Sequence, residues 1–395
     1  MIANFQQDKP LTASVVELAQ QLIRCPSRAG IDDYGPVLGV LEDWLSARGL
    51  PHRRLHDEAG HPVGLLVEIS GGHVGPWWTL DACVDTAPYG DEAAWSFPPD
   101  SGGVVDGWLR GRGAADSKLA AAMFCHIAAG LHTRAAHLRG GLAVLLDVDE
   151  HTGGFGGARA YLADPSAARP AGVMIGYPGL DEVVVGGRGL WRASIAVHAR
   201  AGHSGSSKSV VSAISRAARL VYLLEEAELP GADGASGFPL PPKLSVTAFH
   251  GGQGFSITPD RCEINIDVRT TPGFDGHDAE ALVHRAVVAL DAERPAPKPT
   301  EITLVAVWPP FRLAEDEQPA SALLSAAAEE GLAVRAKTAG PSNIGNLLAG
   351  KQIPATAGFG VPYEGLHGID ERAHLAELPT VYAVYQRAVL DLLGG

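Results

Sequence analysis

The sequence has little cysteine, no long apolar run and no excess of basic residues. Its four cysteines, Cys25, Cys83, Cys125 and Cys262, lie far apart and form no CxxC pair. A disulfide scaffold is therefore not expected at this length, and a reducing, cytoplasmic setting fits best. Apolar stretches such as 142–146 are far too short to span a bilayer. Residues 1–10 show no basic region followed by an apolar run, so we expect no secretory signal.

Charge and composition restrict the class of protein further. The net charge of −14 argues against a nucleic-acid partner, because phosphate binding needs clustered Lys and Arg. Hydrophobic residues make up 46% of the 395 residues and charged residues 19%, which is typical of a globular protein with a sizeable core. This length is enough for two domains.

Hydrophobic periodicity changes twice along the chain. The first third alternates helical patterns, such as 15–23 and 37–45, with short buried strands, such as 64–69 and 142–148. This alternation predicts an α/β layer with a mainly parallel central sheet. Between about 188 and 297 the strands alternate apolar and polar residues, which predicts an inserted α+β unit with a one-sided sheet. We therefore predict one domain formed by 1–187 and 298–395 and an inserted domain at 188–297.

Four short segments combine polar residues with a predicted strand end or a glycine-rich turn, where α/β enzymes place their sites. They are LDACVDTAP at 80–88, GRGAADSK at 111–118, DVDEHTGG at 147–154 and GLHG at 365–368. Their order and spacing, together with WSFPP at 95–99 and AGHSG at 201–205, resemble the M20 family of metallopeptidases and deacylases. The resemblance covers nearly the whole chain. It implies a zinc-peptidase-like catalytic domain with an inserted lid through which two chains form a homodimer.

The resemblance also implies site residues. Family members usually bind two zinc ions. Asp116 matches the bridging carboxylate, His367 the C-terminal ligand, Glu150 the general base and Asp85 the residue that orients the first histidine ligand. Three positions depart from the family pattern. Cys83 stands in place of that histidine ligand, and His151 stands in place of the second Glu of a Glu-Glu pair. Tyr177 stands where a further Glu usually precedes the proline.

The departures favour one good metal site. Asp116, His151 and His367 offer two imidazoles and a carboxylate, which suit zinc, manganese, iron or cobalt. We therefore expect one divalent metal per chain and a doubtful second site, because tyrosine, with an ordinary pKa near 10, is a poor zinc ligand. Cys83 is either a ligand of the surviving metal or a small core residue. Tyr177 is expected to form hydrogen bonds in the substrate pocket.

The remaining candidates lie in the inserted segment. His203 resembles a lid histidine that stabilises the oxyanion in the partner subunit's site. Arg269 resembles an arginine that binds the substrate carboxylate, although it could instead pair with an acidic neighbour. Ser256 stands where the family has an asparagine beside that arginine.

The predicted function is hydrolysis of a C–N bond in a small amino-acid-like substrate, with Glu150 as the general base for a metal-activated water. Three alternatives remain open at this point. They are a deaminase of an aromatic or amino-acid-like amine, a catalytically silent ligand-binding homologue, and an acyltransferase that uses Cys83 as its nucleophile.

Overall fold

The structure is a computed structural model, and it describes residues 9–207, 210–231 and 238–394. Its helices are α1 (Lys9–Ile23), α2 (Gly35–Ser46), α3 (Leu119–His132), α4 (Gly156–Ala163), α5 (Ala213–Glu225), α6 (Gly276–Glu293), α7 (Ala320–Glu329), α8 (Ile344–Ala349) and α9 (Leu378–Leu392). Its strands are β1 (His52–His56), β2 (Pro62–Ser70), β3 (His73–Cys83), β4 (Val104–Val105), β5 (Trp108–Arg110), β6 (Arg139–Asp147), β7 (Pro170–Gly176), β8 (Glu182–Gly187), β9 (Gly189–His198), β10 (Gly202–His203), β11 (Lys243–Gly251), β12 (Ile257–Thr258), β13 (Arg261–Thr270), β14 (Glu301–Trp308), β15 (Phe311–Arg312), β16 (Arg335–Ala339), β17 (Ala355–Phe359), β18 (Tyr363–Glu364) and β19 (Arg372–His374). No helix in these ranges is long and apolar enough to cross a membrane.

The chain divides into two compact units. The first contains the described residues of Met1–Val185, Leu313–Lys337 and Asn343–Gly395, and the second those of Gly186–Arg312 and Thr338–Ser342. We predicted that the inserted segment ends at 297, but the second unit continues to Arg312. The reason is that β14, which follows the Pro-rich segment 293–300, pairs with β9 along the edge of the second unit's sheet.

The main sheet of the first unit has the strand order β1-β2-β6-β3-β7-β17-β8. Its centre, β6-β3-β7-β17, is parallel, whereas β1, β2 and β8 pair antiparallel at the flanks. The predicted α/β class is therefore confirmed, with a parallel centre inside a mixed sheet. Because β3, β6 and β7 are parallel neighbours, their carboxyl ends, Cys83, Asp147 and Gly176, meet at one edge.

Helix α3 covers this sheet with a nearly continuous apolar surface. Eleven of its residues are buried, and its alanines allow the helix to approach the strands closely. A Cβ at Gly176 would lie 2.7 Å from the Ala120 Cβ and 2.8 Å from the Phe124 ring. Glycine is therefore required at the end of β7, immediately before Tyr177.

A second, smaller sheet of the first unit brings two distant loops together. Its strand order is β18-β19-β5-β4, and Arg110 at the end of β5 pairs with Arg372 at the start of β19. Since these strands are antiparallel, the loop that follows β5 and the loop that precedes β19 leave the sheet at the same end. The two loops are 111–118 and 365–371, and each contains one of the predicted metal-binding segments.

The second unit is an α+β layer. Its antiparallel sheet has the order β11-β13-β9-β14, and α5 and α6 contribute to one apolar core with it. Strand β9 alternates buried and half-buried residues, which matches the one-sided pattern in the sequence. Helix α5 begins at Ala213, because the Ser212 side chain accepts a hydrogen bond from the Ser215 N–H and caps the helix.

Candidate metal centre

Two imidazoles and one buried carboxylate converge at the edge where β3, β6 and β7 end. The Asp116 Oδ2 atom lies 2.8 Å from Nε2 of His367 and 3.5 Å from Nε2 of His151. The two imidazole rings are 5.2 Å apart, centroid to centroid. Asp116 is 2% exposed, and the His151 and His367 side chains are 4% and 51% exposed. The cluster is thus closed on its protein side and reachable through His367.

Each member of the cluster comes from a different part of the chain. Asp116 lies in a tight turn, Ala114–Lys118, whose residues Asp116 and Ser117 leave the helical conformation. His151 follows β6 by four residues, and His367 sits between β18 and β19 with a positive φ of 57°. The pairing of β5 with β19 explains how residues 116 and 367 become neighbours despite their separation in the sequence.

The donor atoms fit a divalent cation. A tetrahedral ion with ligand bonds of about 2.0–2.1 Å places its donors roughly 3.3 Å apart, close to the spacing between Asp116 and His151. Both ring nitrogens of His151 are buried without a hydrogen-bond partner in the part of the chain that the structure describes. Such buried nitrogens are costly unless something binds them, and a cation beside Nε2 supplies a partner. Cys83, Glu150 and His151 form a second group of close donor atoms that shares this imidazole.

The charges within the cluster are strongly coupled. Burial works to raise the pKa of the Asp116 carboxyl, but the two imidazoles more than reverse this and lower it. Burial works to lower the pKa of His151, but Asp116 and Asp85 raise it to about 11. The carboxylate is therefore ionised, as metal binding requires, and the cluster attracts a positive charge.

Glu150 lies beside the cluster but keeps some solvent contact. Its Oε2 atom is 3.6 Å from Nδ1 of His151, and its side chain is 21% exposed. Burial and the nearby Asp116 carboxylate raise its pKa to about 7. A carboxyl group with that pKa can both accept and donate a proton near neutrality.

Cys83 is buried at the end of β3, with 4% exposure. Its Sγ atom is 3.2 Å from Ser117 Oγ and 3.7 Å from Asp116 Oδ1. Burial and the surrounding carboxylates raise the pKa of the thiol well above its ordinary value. Reactive cysteines need the opposite shift, so this environment stabilises the neutral thiol.

Tyr177 follows β7 by one residue. Its pKa is raised by burial and by the Asp116 and Glu150 carboxylates, whose charges act on its phenol group. The phenol therefore stays protonated. The sequence placed Tyr177 among the pocket residues, and the first unit brings it into this electrostatic environment.

The three candidates of the second unit fall into two groups. His203 on β10 pairs with Ile257 on β12, and the Ser204 N–H donates to the Ser256 carbonyl at 3.0 Å, so His203 and Ser256 are neighbours. Arg269 lies on β13 and donates to Asp267 through Nε at 2.7 Å and Nη2 at 3.2 Å. Arg269 thus has the acidic partner that we considered as the alternative to a substrate carboxylate.

Sequence reasoning missed a buried ion pair that joins the two loops of the site. Glu371 is fully buried and accepts hydrogen bonds from the N–H groups of Gly113, Ala115 and Asp116 at 3.0–3.2 Å. Its other oxygen lies 2.6 Å from Arg112 Nη1, and Arg112 Nη2 donates to the Gly368 carbonyl at 2.6 Å. The pair therefore fixes the turn of Asp116 against the loop of His367. The signal available in the sequence was an acidic residue four positions after the predicted ligand.

Two imidazoles, a buried carboxylate and an adjacent glutamate, grouped beside an α/β sheet, are typical of metallohydrolases. The chain belongs to peptidase family M20/M25/M40, whose sequence profile matches residues 81–391. The predicted family, fold class and hydrolase class are thereby confirmed.

Curated relatives cover nearly the whole chain. A succinyl-diaminopimelate desuccinylase from Cereibacter sphaeroides is 28% identical over 395 residues, which is 95% of this chain and 98% of the relative. Another from Methylobacterium nodulans is 30% identical over 402 residues, covering 97% and 96%.

Solved structures share the fold at lower identity. The aminopeptidase PepT from Bacillus cereus superimposes with a TM-score of 0.78 at 18% identity, covering 97% of this chain and 99% of that one. A dinuclear metal-binding peptidase of the M20 family from Bacillus subtilis gives a TM-score of 0.75 at 17% identity, covering 98% and 99%.

Proposed function

We propose that this protein is a metal-dependent hydrolase that cleaves the amide C–N bond of a small, amino-acid-like substrate. The observation that carries the proposal is the convergence of Asp116, His151 and His367 next to Glu150, a carboxyl group whose pKa is raised to about 7. The curated relatives are named as desuccinylases, and removal of a succinyl group from an amine is amide hydrolysis. We therefore place the substrate among N-acylated amino acids.

Asp116, His151 and His367 would bind one divalent ion through a carboxylate and two imidazole nitrogens. Such an ion supplies Lewis acidity and lowers the pKa of a water that it binds. Zinc, manganese, iron and cobalt all accept this donor set. The second position would have Cys83 and Tyr177, and the raised pKa of both groups opposes the deprotonation that metal binding requires. We propose one metal per chain.

Glu150 would move the proton. Its carboxylate takes a proton from the attacking water and then gives it to the leaving nitrogen, so that an amine departs. Tyr177, whose raised pKa keeps its phenol protonated, would donate a hydrogen bond to the substrate carbonyl oxygen as negative charge develops there.

We further propose that the second unit serves as a lid and a dimerisation surface. The dimerisation surface is supported by the apolar side chains that the edge strand β14 exposes. Leu304, Val305 and Val307 are 51%, 66% and 46% exposed. An edge strand of this kind is a ready surface for pairing with another chain.

The two other classes of function have less support. An acyltransferase would need a Cys83 thiolate, which its buried and acidic surroundings disfavour. A silent binding protein has no need of a glutamate whose pKa is raised to about 7 beside a metal cluster.

The test combines metal analysis with one substitution. We expect the purified protein to contain one divalent ion per chain and to hydrolyse members of a panel of N-acyl amino acids. Glu150→Gln should keep the metal and lose at least about a hundredfold in kcat. Glu58→Gln, in an exposed turn between β1 and β2, is the matched control and should retain full activity.

The outcomes separate the alternatives. Near-normal turnover by Glu150→Gln would remove this residue from the mechanism. Ammonia release from aminated aromatics, with no amide hydrolysis, would make the protein a deaminase. Activity without metal that is lost on thiol alkylation would indicate the acyltransferase, and absence of both metal and turnover would indicate the binding protein.

A further inference from the structure

Asp85 is fully buried two residues after the end of β3, and it faces the imidazole of His151. Its Oδ2 atom lies 3.4 Å from Nδ1 of that ring. Its two oxygens also accept hydrogen bonds from the backbone N–H groups of Glu150 at 3.3 Å and His151 at 3.1 Å. These backbone bonds fix the carboxylate on the Nδ1 side of the ring.

The opposite nitrogen of the same ring faces the metal cluster. Nε2 of His151 lies 3.5 Å from Oδ2 of Asp116. The imidazole is therefore held between two buried carboxylates, one on each nitrogen. A metal-ligating histidine is usually oriented in this way, with its second nitrogen donating to a carboxylate that fixes the tautomer and increases the basicity of the ligating nitrogen.

The sequence had given Asp85 a different partner. Its position implied that it orients an imidazole at residue 83, but Cys83 has no ring nitrogen, and its thiol contacts Ser117 and Asp116 instead. Where the family pattern has a histidine this chain has Cys83, and its histidine lies at position 151, four residues after the neighbouring strand β6 ends.

We propose that Asp85 is the positioning residue of His151, so that the imidazole–carboxylate pair is retained while its histidine comes from the other strand. Asp85 accepts the Nδ1 proton and leaves the Nε2 lone pair directed at the ion. This inference rests on the proposed function, because it assigns Asp85 a role in metal binding. It gives Nδ1 of His151, which makes no hydrogen bond among the described residues, a carboxylate acceptor 3.4 Å away.

Glu150 is the other carboxylate near Nδ1, at 3.6 Å. It is a weaker partner for two reasons. Asp85 is fully buried and held by two backbone donors, whereas the Glu150 side chain is 21% exposed. A base that moves protons must also be free of a permanent bond to a ligand. The geometry thus separates the two roles, with Asp85 orienting the ring and Glu150 carrying the proton.

The test measures zinc binding by Asp85→Asn. The amide would present an N–H or an oxygen to Nδ1, so the charged acceptor is lost with little change in shape. Titration calorimetry of the metal-free proteins with Zn²⁺ should show a 10- to 100-fold weaker Kd, the usual effect of losing such a carboxylate. X-ray absorption of the zinc-loaded proteins should show two imidazole ligands in the wild type and fewer in the variant.

Asp149→Asn is the matched control, since it makes the same chemical change two residues from His151. Its carboxylate contacts Thr152, and its positive φ of 72° suits asparagine. This control should leave the Zn²⁺ Kd and the imidazole count unchanged.

A double variant tests directly whether Asp85 acts through His151. In His151→Glu, which has no ring to orient, Asp85→Asn should not weaken zinc binding further. An equal loss in both backgrounds would show that Asp85 acts through its backbone donors and would overturn the inference. If His151→Glu binds zinc too weakly to measure, an unchanged imidazole count in Asp85→Asn overturns it instead. A wild-type protein that binds no zinc, manganese, iron or cobalt would refute the proposed function and the inference together.

Discussion

The buried ion pair between Arg112 and Glu371 gives a quantitative prediction about stability. Their side chains are 2% and 1% exposed, so neither charge is solvated by bulk water. In Glu371→Gln, one oxygen can still accept the backbone N–H groups of the Asp116 turn. The new amide N–H₂, or a neutral oxygen, would face the guanidinium, which is left as an uncompensated buried charge. Breaking a buried pair in this way costs about 3–5 kcal/mol.

The assay is urea unfolding followed by tryptophan fluorescence. Five of the seven tryptophans lie in the first unit, so the signal reports mainly on that unit, and they are Trp44, Trp77, Trp78, Trp95 and Trp108. Glu371→Gln should lower its free energy of unfolding by about 3–5 kcal/mol. The double variant with Arg112→Met should lose less than the sum of the two single variants, because it leaves no lone charge.

Glu364→Gln is the matched control. It breaks the ion pair between Glu364 and Arg372. The Arg372 side chain is 32% exposed and the Glu364 side chain is 54% exposed. Surface pairs contribute about 0–1 kcal/mol, so this change should be nearly neutral. A loss below about 0.5 kcal/mol in Glu371→Gln, the range of ordinary surface changes, would refute the reasoning that the buried pair secures the two loops.

Three further predictions concern other residues. Burial lowers the pKa of His126 to about 4, whereas the unfolded chain has the ordinary value near 6.5; the unfolded state therefore binds the proton first, and about 3 kcal/mol of stability should be lost as the pH falls from about 6.5 to about 4. Urea unfolding at several pH values should show this acid loss in the wild type and its disappearance in His126→Gln. Tyr177→Phe should keep its metal by elemental analysis, whereas His151→Ala should lose both metal and activity; loss of metal from Tyr177→Phe would make the phenol a ligand. Mixing His203→Ala with Glu150→Gln subunits should restore activity if His203 acts in the partner's site, and no recovery after verified subunit exchange would confine His203 to its own chain or exclude it.

The sequence alone was enough to predict the α/β and α+β layers of the fold and the four segments that contain the candidate site residues. Periodicity separates buried strands from one-sided strands, and polar residues at strand ends identify where chemistry is placed. The segments at 80–88, 111–118, 147–154 and 365–368 were found in this way. These features are local, or they repeat a family pattern in order, so they can be recognised without coordinates.

The limits of the second unit were decided by pairing rather than by periodicity. Residues 301–308 form an edge strand whose apolar side chains are largely exposed, so their pattern does not say which sheet they join. Pairing of β14 with β9 assigns them to the second unit. The Pro-rich segment before them therefore marks a turn within that unit and not the return to the first.

The partners of buried charged groups were decided only by the tertiary structure. Asp85 faces His151 across 66 positions, and Glu371 faces the turn of Asp116 across 255. Such contacts depend on which strands are neighbours and on which loops leave a sheet at the same end, and local composition contains neither fact. The sequence could name candidate site residues, whereas the pairing of β3 with β6 and of β5 with β19 decided which of them lie close together.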